Sequence, residues 1–347
     1  MSNTILAAAK GFGGGGGGGF SSTNNSRKKN TKKATATSKP SKQALLNQVE
    51  RKYGGNTPQD IARGTQIMID RAMQELPQHI QLAIQLYRQD VEWNRRIAGM
   101  DVLAQSQLPP QLINQAQRVQ KKLQEILQEH SLTVHDLQMT MQQITWNASA
   151  DAKAAKSLTG TMPRDVQNRV QRACDYAAQA AGGNGTVLDV GCGYGVLVPY
   201  LKKAGLDAAQ IHGMDLSSEM IRHAQAFHPE IQTEVADFLQ LSNDKKYNAV
   251  IMCSSLHDLP DTRASLHKAC DLLEPNGVLI IVHPQGASHV AQQHKSNPML
   301  IPRGLPTAGE LKEWLCDDAD MTMTVPPADA KTEQEIREGY LAVLRKQ

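Results

Sequence analysis

Apolar residues recur with two different periods along this sequence, and the change of period divides the chain. Between about residues 43 and 150 they return every three or four positions, which is the spacing of one face of an α-helix. This spacing predicts a helix over 61–76, a second over 80–93, a third from Pro110 to about 127, and a fourth that opens at Ser131 or Thr133. We therefore expect a helical module before residue 150.

From about residue 164 the pattern changes to short apolar strands that alternate with helices. A helix over "PRDVQNRVQRACDYAAQAA" ends at glycine. Strands are then predicted at "TVLDVG", "QIHGMD", "QTEVAD", "YNAVIMCSS", "GVLIIVH", "MTMTV" and "GYLAVLRK". Continuous apolar strands that alternate with helices predict an α/β fold, a doubly wound and mostly parallel sheet with helices on both faces. Ligands of such sheets bind beyond the carboxyl ends of the strands.

The first 42 residues follow neither period. A glycine run is followed by a basic segment rich in Ser and Thr, and such a composition cannot bury enough apolar surface to fold. We predict a disordered basic tail at 1–42, a helical module at 43–150 and a ligand-binding domain at 151–347. The tail is typical of an organelle transit peptide, "RKKNTKK" could be a nuclear address, and a tail without any address is the third interpretation.

The net charge of +3 hides a division between the tail and the rest of the chain. No acidic residue precedes Glu50, whereas eight basic residues do, so the remaining chain is net negative. The helical module also has few of the aromatic side chains on which single-stranded nucleic acids stack. We therefore do not expect the folded part to bind nucleic acid, and we interpret the module as a cap or as a homodimerisation surface.

The apolar content and the cysteines indicate the class of protein. Apolar residues make up 40% of the chain, and no apolar run is long enough to cross a membrane. The five cysteines are scattered and form no CxxC pair, which argues against a disulfide framework and a zinc site. We expect an intracellular protein of the cytoplasm, a plastid or a mitochondrion, with the nucleus less favoured.

A glycine-rich turn follows the first strand of the sheet in "TVLDVGCGYGVLVPYLKKAG". Its glycines Gly191, Gly193 and Gly195 have GxGxG spacing, and Val196 stands where a dinucleotide fingerprint requires glycine. Asp189 lies on the strand just before the turn, where its charge would repel a pyrophosphate. A ligand without phosphate and with a cationic end tolerates this carboxylate, and S-adenosylmethionine (SAM) is such a ligand.

Two further acids follow the next two strands. Asp215 lies twenty residues after Gly195, where a carboxylate can accept hydrogen bonds from both ribose hydroxyls. Asp237, in "VADFLQL", can accept the adenine amino group, and Phe238 can line the edge of the ring. These positions predict that one ligand lies across three strand ends.

The residues resemble the class I SAM-dependent methyltransferases. "VLDVGCGYG", "GMDLSSEMI", "VADFLQL", "YNAVIMCSSLHDLPD" and "LLEPNGVLIIVHP" are similar to five successive motifs of that family, and the resemblance covers about 164 to 347. It implies a Rossmann-like sheet of seven strands, one of them antiparallel, with SAM as the cofactor. The cofactor-binding residues that it implies are Asp189, Gly191, Cys192, Gly193, Gly195, Asp215, Leu216, Met220, Asp237, Phe238 and Cys253.

Within the family, "SSLHDLPD" is most similar to the type-11 and quinone-biosynthesis-like enzymes, which act on small molecules. The resemblance implies a small-molecule or lipid-like acceptor, methylated at O, N or C. Only Asp258 and Asp261 lie in this loop, so we predict no metal. An alternative is a degenerate methyltransferase domain that binds SAM and acts as a non-catalytic interaction partner.

Methyl transfer from SAM needs alignment and exclusion of water, and it needs a base only if the acceptor must lose a proton. His257 follows the fourth strand and is the candidate base, and His283 is a weaker one, although a histidine in this place could equally be a packed residue. Trp146 and the segment 285–305 are the candidates to close over the ligand.

Overall fold

The computed structural model describes residues 41–159, 162–317 and 319–347, so all but the end of the predicted tail lies outside it. Six helices form an N-terminal layer. They are α1 (Lys42–Tyr53), α2 (Pro58–Gln74), α3 (Gln78–Ala98), α4 (Val102–Ser106), α5 (Pro110–Glu129) and α6 (Val134–Thr159). The four helices predicted from the apolar period correspond to α2, α3, α5 and α6.

Polar side chains cap the first two of these helices. The Ser41 side chain accepts a hydrogen bond from the backbone of Ala44 at the start of α1. The Thr57 side chain does the same for Asp60 at the start of α2, where Pro58 supplies a fixed φ.

The rest of the chain forms one seven-stranded sheet with helices on both faces. Its strands are β1 (Val187–Val190), β2 (Ile211–Asp215), β3 (Gln232–Val235), β4 (Tyr247–Cys253), β5 (Leu273–His283), β6 (Met321–Val325) and β7 (Tyr340–Lys346). Their order is β3-β2-β1-β4-β5-β7-β6. Strand β7 pairs antiparallel with both neighbours, and the other described pairs are parallel. The structure confirms the predicted sheet, including its single antiparallel strand.

Two cores cover the two faces of this sheet, and β4 contributes to both. Val250 and Met252 pack into one core, whereas Ala249 and Ile251 pack into the other, because successive side chains of a strand point to opposite faces. The flanking helices are α7 (Arg164–Ala181), α8 (Val198–Lys203), α9 (Ser218–Phe227), α10 (Thr262–Asp271), α11 (Gly286–Ser296), α12 (Ala308–Leu311) and α13 (Glu333–Glu338).

The order of the strands determines where a ligand can bind. The chain passes from β1 outwards to β2 and β3, and then returns to β4 on the other side of β1. The crossovers after β1 and β4 therefore leave in opposite directions and open a crevice at the carboxyl ends of these two strands.

The helical layer packs directly on the sheet domain. Helix α6 continues through residue 150, where the sequence predicts a boundary between the helical module and the ligand-binding domain. Ala154 and Ala155 of this helix share a buried cluster with Tyr53 of α1 and Phe227 of α9. Among the described residues, no helix combines the length and the apolar character that crossing a membrane requires.

Candidate active site

The turn after β1 depends on glycine. Gly191, Gly193 and Gly195 have φ values of 71°, 56° and 84°, in the left-handed region where other residues are strained. A Cβ on Gly191 would lie 2.6 Å from the Cβ of Ser255, whereas one on Gly193 would meet no atom within 4 Å. The missing side chain of Gly191 therefore allows the turn after β1 and the loop after β4 to lie close to each other, and that of Gly193 leaves open space above the turn.

Asp215 ends β2 and holds this turn from the side. Its Oδ2 accepts a hydrogen bond of 2.9 Å from the backbone N–H of Gly193, and its Oδ1 accepts one of 2.8 Å from Ser217. Burial raises the pKa of this carboxyl, although the two backbone donors oppose the effect. Each carboxylate oxygen accepts more than one hydrogen bond, so both keep capacity for a ligand hydroxyl.

Asp189 lies one layer deeper, on β1. It is only 2% exposed. Burial raises its pKa to about 8, and the negative charge of Asp215 adds to the effect. A buried carboxyl of this kind is poised to ionise when a cation comes close.

A cavity of about 970 Å³ opens above the glycine turn, at the carboxyl ends of β1, β2 and β4. The structure brings ten of the eleven predicted cofactor-binding residues to its wall. They are Asp189, Gly191, Cys192, Gly193, Gly195, Asp215, Leu216, Met220, Phe238 and Cys253. Their roles toward a ligand stay predictions, but their convergence on one cavity is a property of the fold.

Asp237 is the eleventh predicted residue, and it does not line this cavity. Its Oδ2 lies 2.8 Å from Nε2 of His135, at the start of α6, and its Oδ1 accepts a hydrogen bond from the backbone of Leu239. The carboxylate raises the pKa of His135 through this hydrogen bond, against the effect of partial burial. A contact of Asp237 with adenine stays a prediction, and it would require the carboxylate to turn away from this histidine.

The two cysteines at the cavity are neutral thiols. Burial raises the pKa of Cys253 to about 12 and that of Cys192 well above its ordinary value. A Cβ on Gly213 would lie 2.8 Å from Sγ of Cys192. Cys192 therefore contributes volume rather than a nucleophile, in line with the general behaviour of buried cysteines.

The candidate base His257 lies behind the cavity wall. Only 7% of its side chain is exposed, and its Nε2 lies 3.5 Å from Oδ1 of Asp258. Its ring packs edge-on against the ring of His283, with centroids 5.1 Å apart. Burial lowers the pKa values of the two histidines to about 4 and about 3, so both are neutral at pH 7. A catalytic role for His257 stays a prediction, and it is Asp258 that lines the cavity.

Helix α6 forms the wall opposite the sheet and holds the loop after β2. Gln143 donates a hydrogen bond to the carbonyl of Leu216, and the hydroxyl of Ser217 donates one of 2.6 Å to Oδ1 of Asn147. One turn further on, the carboxylate of Asp151 binds Nε2 of His223 at 2.6 Å. These residues follow each other at intervals of four, so they share one face of the helix.

The same helix reaches the loop after β4. Gln142 donates a hydrogen bond to the carbonyl of Asp258. Trp146 lines the cavity, as does Gln285 just after β5, so the two segments predicted to close over the ligand both border it. The ammonium of Lys153 lies 4.4 Å from the centroid of the Trp146 ring and also faces the cavity.

Sequence reasoning did not assign functions to Gln142, Asn147, Asp151 or Lys153. A signal for them exists in "QQITWNASADAKAA", where polar residues recur every fourth position on a helix that is otherwise rich in alanine. A polar stripe on a helix that must be half buried predicts polar partners across the interface.

The residues of the cavity fit SAM better than they fit a dinucleotide. The buried Asp189 would repel a pyrophosphate, whereas it can balance an ammonium or a sulfonium. The Asp215 oxygens keep free acceptor capacity, and the space above Gly193 admits a ligand close to the backbone.

Comparison with known families agrees with this fit. Residues 162–323 match the model of a family described as a methyltransferase domain. The chain contains a class I SAM-dependent methyltransferase domain. The matched residues include all five of the motifs, and helix α6, which lies before the matched residues, supplies one wall of the cavity.

Individual relatives are similar to this methyltransferase domain over part of their length. The ubiquinone biosynthesis O-methyltransferase of Alkalilimnicola ehrlichii is 32% identical over 114 residues, which are 30% of this chain and 45% of that protein. The protein of the same name from Pasteurella multocida is 28% identical over 183 residues, which are 42% of this chain and 70% of that protein. The chain spans less than half the length of the first curated relatives that it matches.

The solved structures that are similar to this chain include the magnesium protoporphyrin IX methyltransferase of Synechocystis PCC 6803 with bound SAH. The alignment has a TM-score of 0.43 and 21% identity, and it covers 60% of this chain and all of that one. In the described part of the methyltransferase domain and the helical layer, no group of three or more His, Cys, Asp or Glu side chains is arranged to hold a metal ion.

Proposed function

We propose that this protein transfers the methyl group of SAM to a small-molecule acceptor. The observation that carries the proposal is the cavity between the glycine turn and α6, into which Asp189 and Asp215 both face. Its volume of about 970 Å³ lies in the range of small-molecule sites. A wall formed by the protein's own helix favours a compact acceptor over a polymer.

Different residues of the chain would bind different parts of the ligands. Asp215 would accept the ribose hydroxyls, Asp189 would balance the positive end, and Met220 with Phe238 would line the adenine. SAM, when bound, supplies an electrophilic methyl group whose leaving group is a neutral thioether. The walls contributed by α6 and by the loop after β4 would align the acceptor and exclude water, which are the main contributions available to the protein in such a transfer.

For the acceptor we propose only a broad class, a small organic molecule. The ubiquinone biosynthesis O-methyltransferases among the relatives support a small organic acceptor, and the mixed polar and apolar walls of the cavity support one with both characters. Action within the cell, in the cytoplasm or an organelle, and a homodimer through the helical layer stay predictions.

The second candidate is a domain that binds SAM without transferring its methyl group. The observation that favours it is the burial of His257 behind the cavity wall. The two candidates agree on SAM binding and differ only in turnover.

Methyl-labelled SAM separates the two candidates. We expect the purified protein to label the low-molecular-mass fraction of a cell extract, and we expect Asp215→Ala to lose this labelling. Label in the protein or nucleic-acid fraction would contradict a small-molecule acceptor. SAM binding with no labelled product in any fraction would favour the non-catalytic candidate.

Cofactor binding should strengthen as the pH rises. In the free protein the pKa of Asp189 is about 8, so its carboxyl is protonated at neutral pH. A cationic ligand requires the ionised form, so binding releases a proton. We expect the affinity for SAM to rise by up to about tenfold per pH unit between pH 6 and 7, because one proton is released. Calorimetry over this range measures the slope.

Matched variants assign this slope to its group. Asp189→Asn should flatten it, whereas Asp70→Asn, which changes an exposed acid on α2, should not. The other titratable groups that interact with Asp189 are the carboxyl of Asp215, whose pKa is also raised, and the neutral thiols of Cys174, Cys192 and Cys253. A slope that survives in Asp189→Asn would assign the released proton elsewhere.

A further inference from the structure

The cavity has a second pair of charged groups besides the two acids of the glycine turn. Lys153 enters it from α6, and Asp258 enters it from the loop after β4. More than a third of Lys153 is open to solvent and the residue lines the cavity, so a ligand there can contact its side chain. Asp258 has 18% of its side chain exposed.

Both groups are held in place by their surroundings. The ammonium of Lys153 lies over the ring of Trp146, and such a cation–π contact orients it while leaving its N–H donors for a ligand. The backbone of Asp258 accepts a hydrogen bond from Gln142 of α6, and its Oδ1 faces Nε2 of His257. Helix α6 therefore positions both the cation and the acid.

The electrostatics of the pair support a role in chemistry. Burial raises the pKa of Asp258 to about 8, while the charge of Lys153 opposes the shift and that of Asp215 adds to it. Although the residue is more than a third exposed, desolvation of its ammonium by the surrounding cavity wall lowers the pKa of Lys153, and the charges of Asp258 and Asp215 oppose that shift. An ionised Asp258 is thus a stronger base than an ordinary carboxylate. A group in a cavity whose pKa is shifted toward neutral pH is a candidate for proton transfer.

We propose that the acceptor is a conjugated compound with an acidic hydroxyl, a phenol or an enol, whose oxygen binds Lys153 and whose proton passes to Asp258. This inference rests on the proposed function. An amine acceptor that binds in its protonated form would be repelled by the ammonium of Lys153, and a carboxylate acceptor would be repelled by Asp258 and would need no base. A hydroxyl that ionises during the reaction uses both groups.

The step balances in atoms and charge. The hydroxyl oxygen forms a bond to the methyl carbon as the carbon–sulfur bond breaks, and the electron pair of that bond stays on the sulfur. The hydroxyl proton passes to the carboxylate of Asp258. A sulfonium and a carboxylate are thereby replaced by a neutral thioether and a carboxylic acid. His257 touches Asp258 rather than the cavity, so it acts as a positioning residue for this base.

The ionisation of 4-nitrophenol tests the inference, because its phenolate absorbs visible light. In the presence of S-adenosylhomocysteine, the wild-type protein should bind the phenolate about tenfold more tightly than the phenol, since a cation within about 6 Å favours the charged form. Lys153→Gln should lose this preference, whereas Lys122→Gln, on the exposed side of α5, should keep it. Asp258→Asn should keep or increase phenolate binding, and it should lose methylation of unsubstituted phenol, which is not ionised at neutral pH, when SAM is supplied.

Two outcomes are kept apart by measuring S-adenosylhomocysteine binding in the same samples. If this ligand binds and the ionisation of 4-nitrophenol is unchanged, the acceptor inference is wrong and the proposed function stands. Binding of 4-nitroaniline as tight as that of 4-nitrophenol, or an unaltered preference in Lys153→Gln, would also overturn it. If S-adenosylhomocysteine itself does not bind, the proposed function fails.

Discussion

Replacing Asp215 by alanine should weaken SAM binding by roughly 10- to 150-fold. The carboxylate is the predicted acceptor of the ribose hydroxyls, and charge-assisted hydrogen bonds of this kind contribute about 1.5–3 kcal/mol. The same change removes the hydrogen bond that Asp215 accepts from Gly193 at 2.9 Å, so the turn itself loses support. Calorimetric titration with SAM measures the loss.

Glu234→Ala is the matched control for this substitution. Glu234 is an exposed acid on β3, in register with Met214 just before Asp215. It should leave the affinity for SAM unchanged, because its carboxylate does not line the cavity. An Asp215→Ala protein that binds SAM as tightly as the wild type would remove Asp215 from the ligand site.

Asp151→Ala should destabilise the fold by about 3 kcal/mol, which is typical of removing one partner from a buried ion pair. The carboxylate is fully buried and binds His223, Arg222 and Lys52 at 2.6, 2.8 and 2.6 Å. Lys52 and Arg222 can turn toward water after the change, but the ring of His223 is 1% exposed and cannot. The effect should therefore lie at the lower end of the range for buried pairs.

Urea unfolding followed by circular dichroism measures this loss. Glu219→Ala provides the control, because Glu219 binds the same Arg222 at the surface, where an ion pair contributes about 1 kcal/mol or less.

The Asp151 pair also makes the fold sensitive to acid. Its hydrogen bonds to His223 and Lys52 lower the pKa of Asp151 against the effect of burial, so its contribution is lost as the pH falls below the ordinary carboxyl range. Equal effects of Asp151→Ala and Glu219→Ala on the free energy of unfolding would contradict this account of the buried pair.

Features that depend on neighbouring residues could be predicted from the sequence. Strands β1, β4, β5 and β7 are visible as apolar runs, because most of their residues are buried by the helices on the two faces, whereas no residue of β3 is buried. The glycine turn, the acid on β1 and the acid at the end of β2 lie within thirty residues of one another, and the rules of parallel sheets bring the ends of these strands together. The position of Asp215 beside Gly193 follows from that local geometry.

Features that depend on docking between distant segments could not be predicted. The sequence of α6 shows that Asn147 and Asp151 share one face of the helix. It does not show which residues of the methyltransferase domain this face contacts. His135 meets Asp237 although 102 residues separate them, which moves the Asp237 carboxylate from the cavity toward the helix. Such pairings are fixed by tertiary packing rather than by local propensity.

Helix α6 therefore joins the helical module to the methyltransferase domain at the site itself. It supplies one wall of the cavity, it binds the loops after β2, β3 and β4, and it carries Lys153. The helical layer is in this sense part of the candidate active site.

Calorimetric titration of the full chain with SAM and with NAD, in parallel, tests the central claim most directly. The cavity above the glycine turn is predicted to hold a ligand with a ribose, a cationic end and no phosphate. We expect one SAM to bind per chain with release of a proton at neutral pH, and we expect no heat of binding from NAD. Binding of NAD, or the absence of SAM binding by the folded protein, would contradict the account.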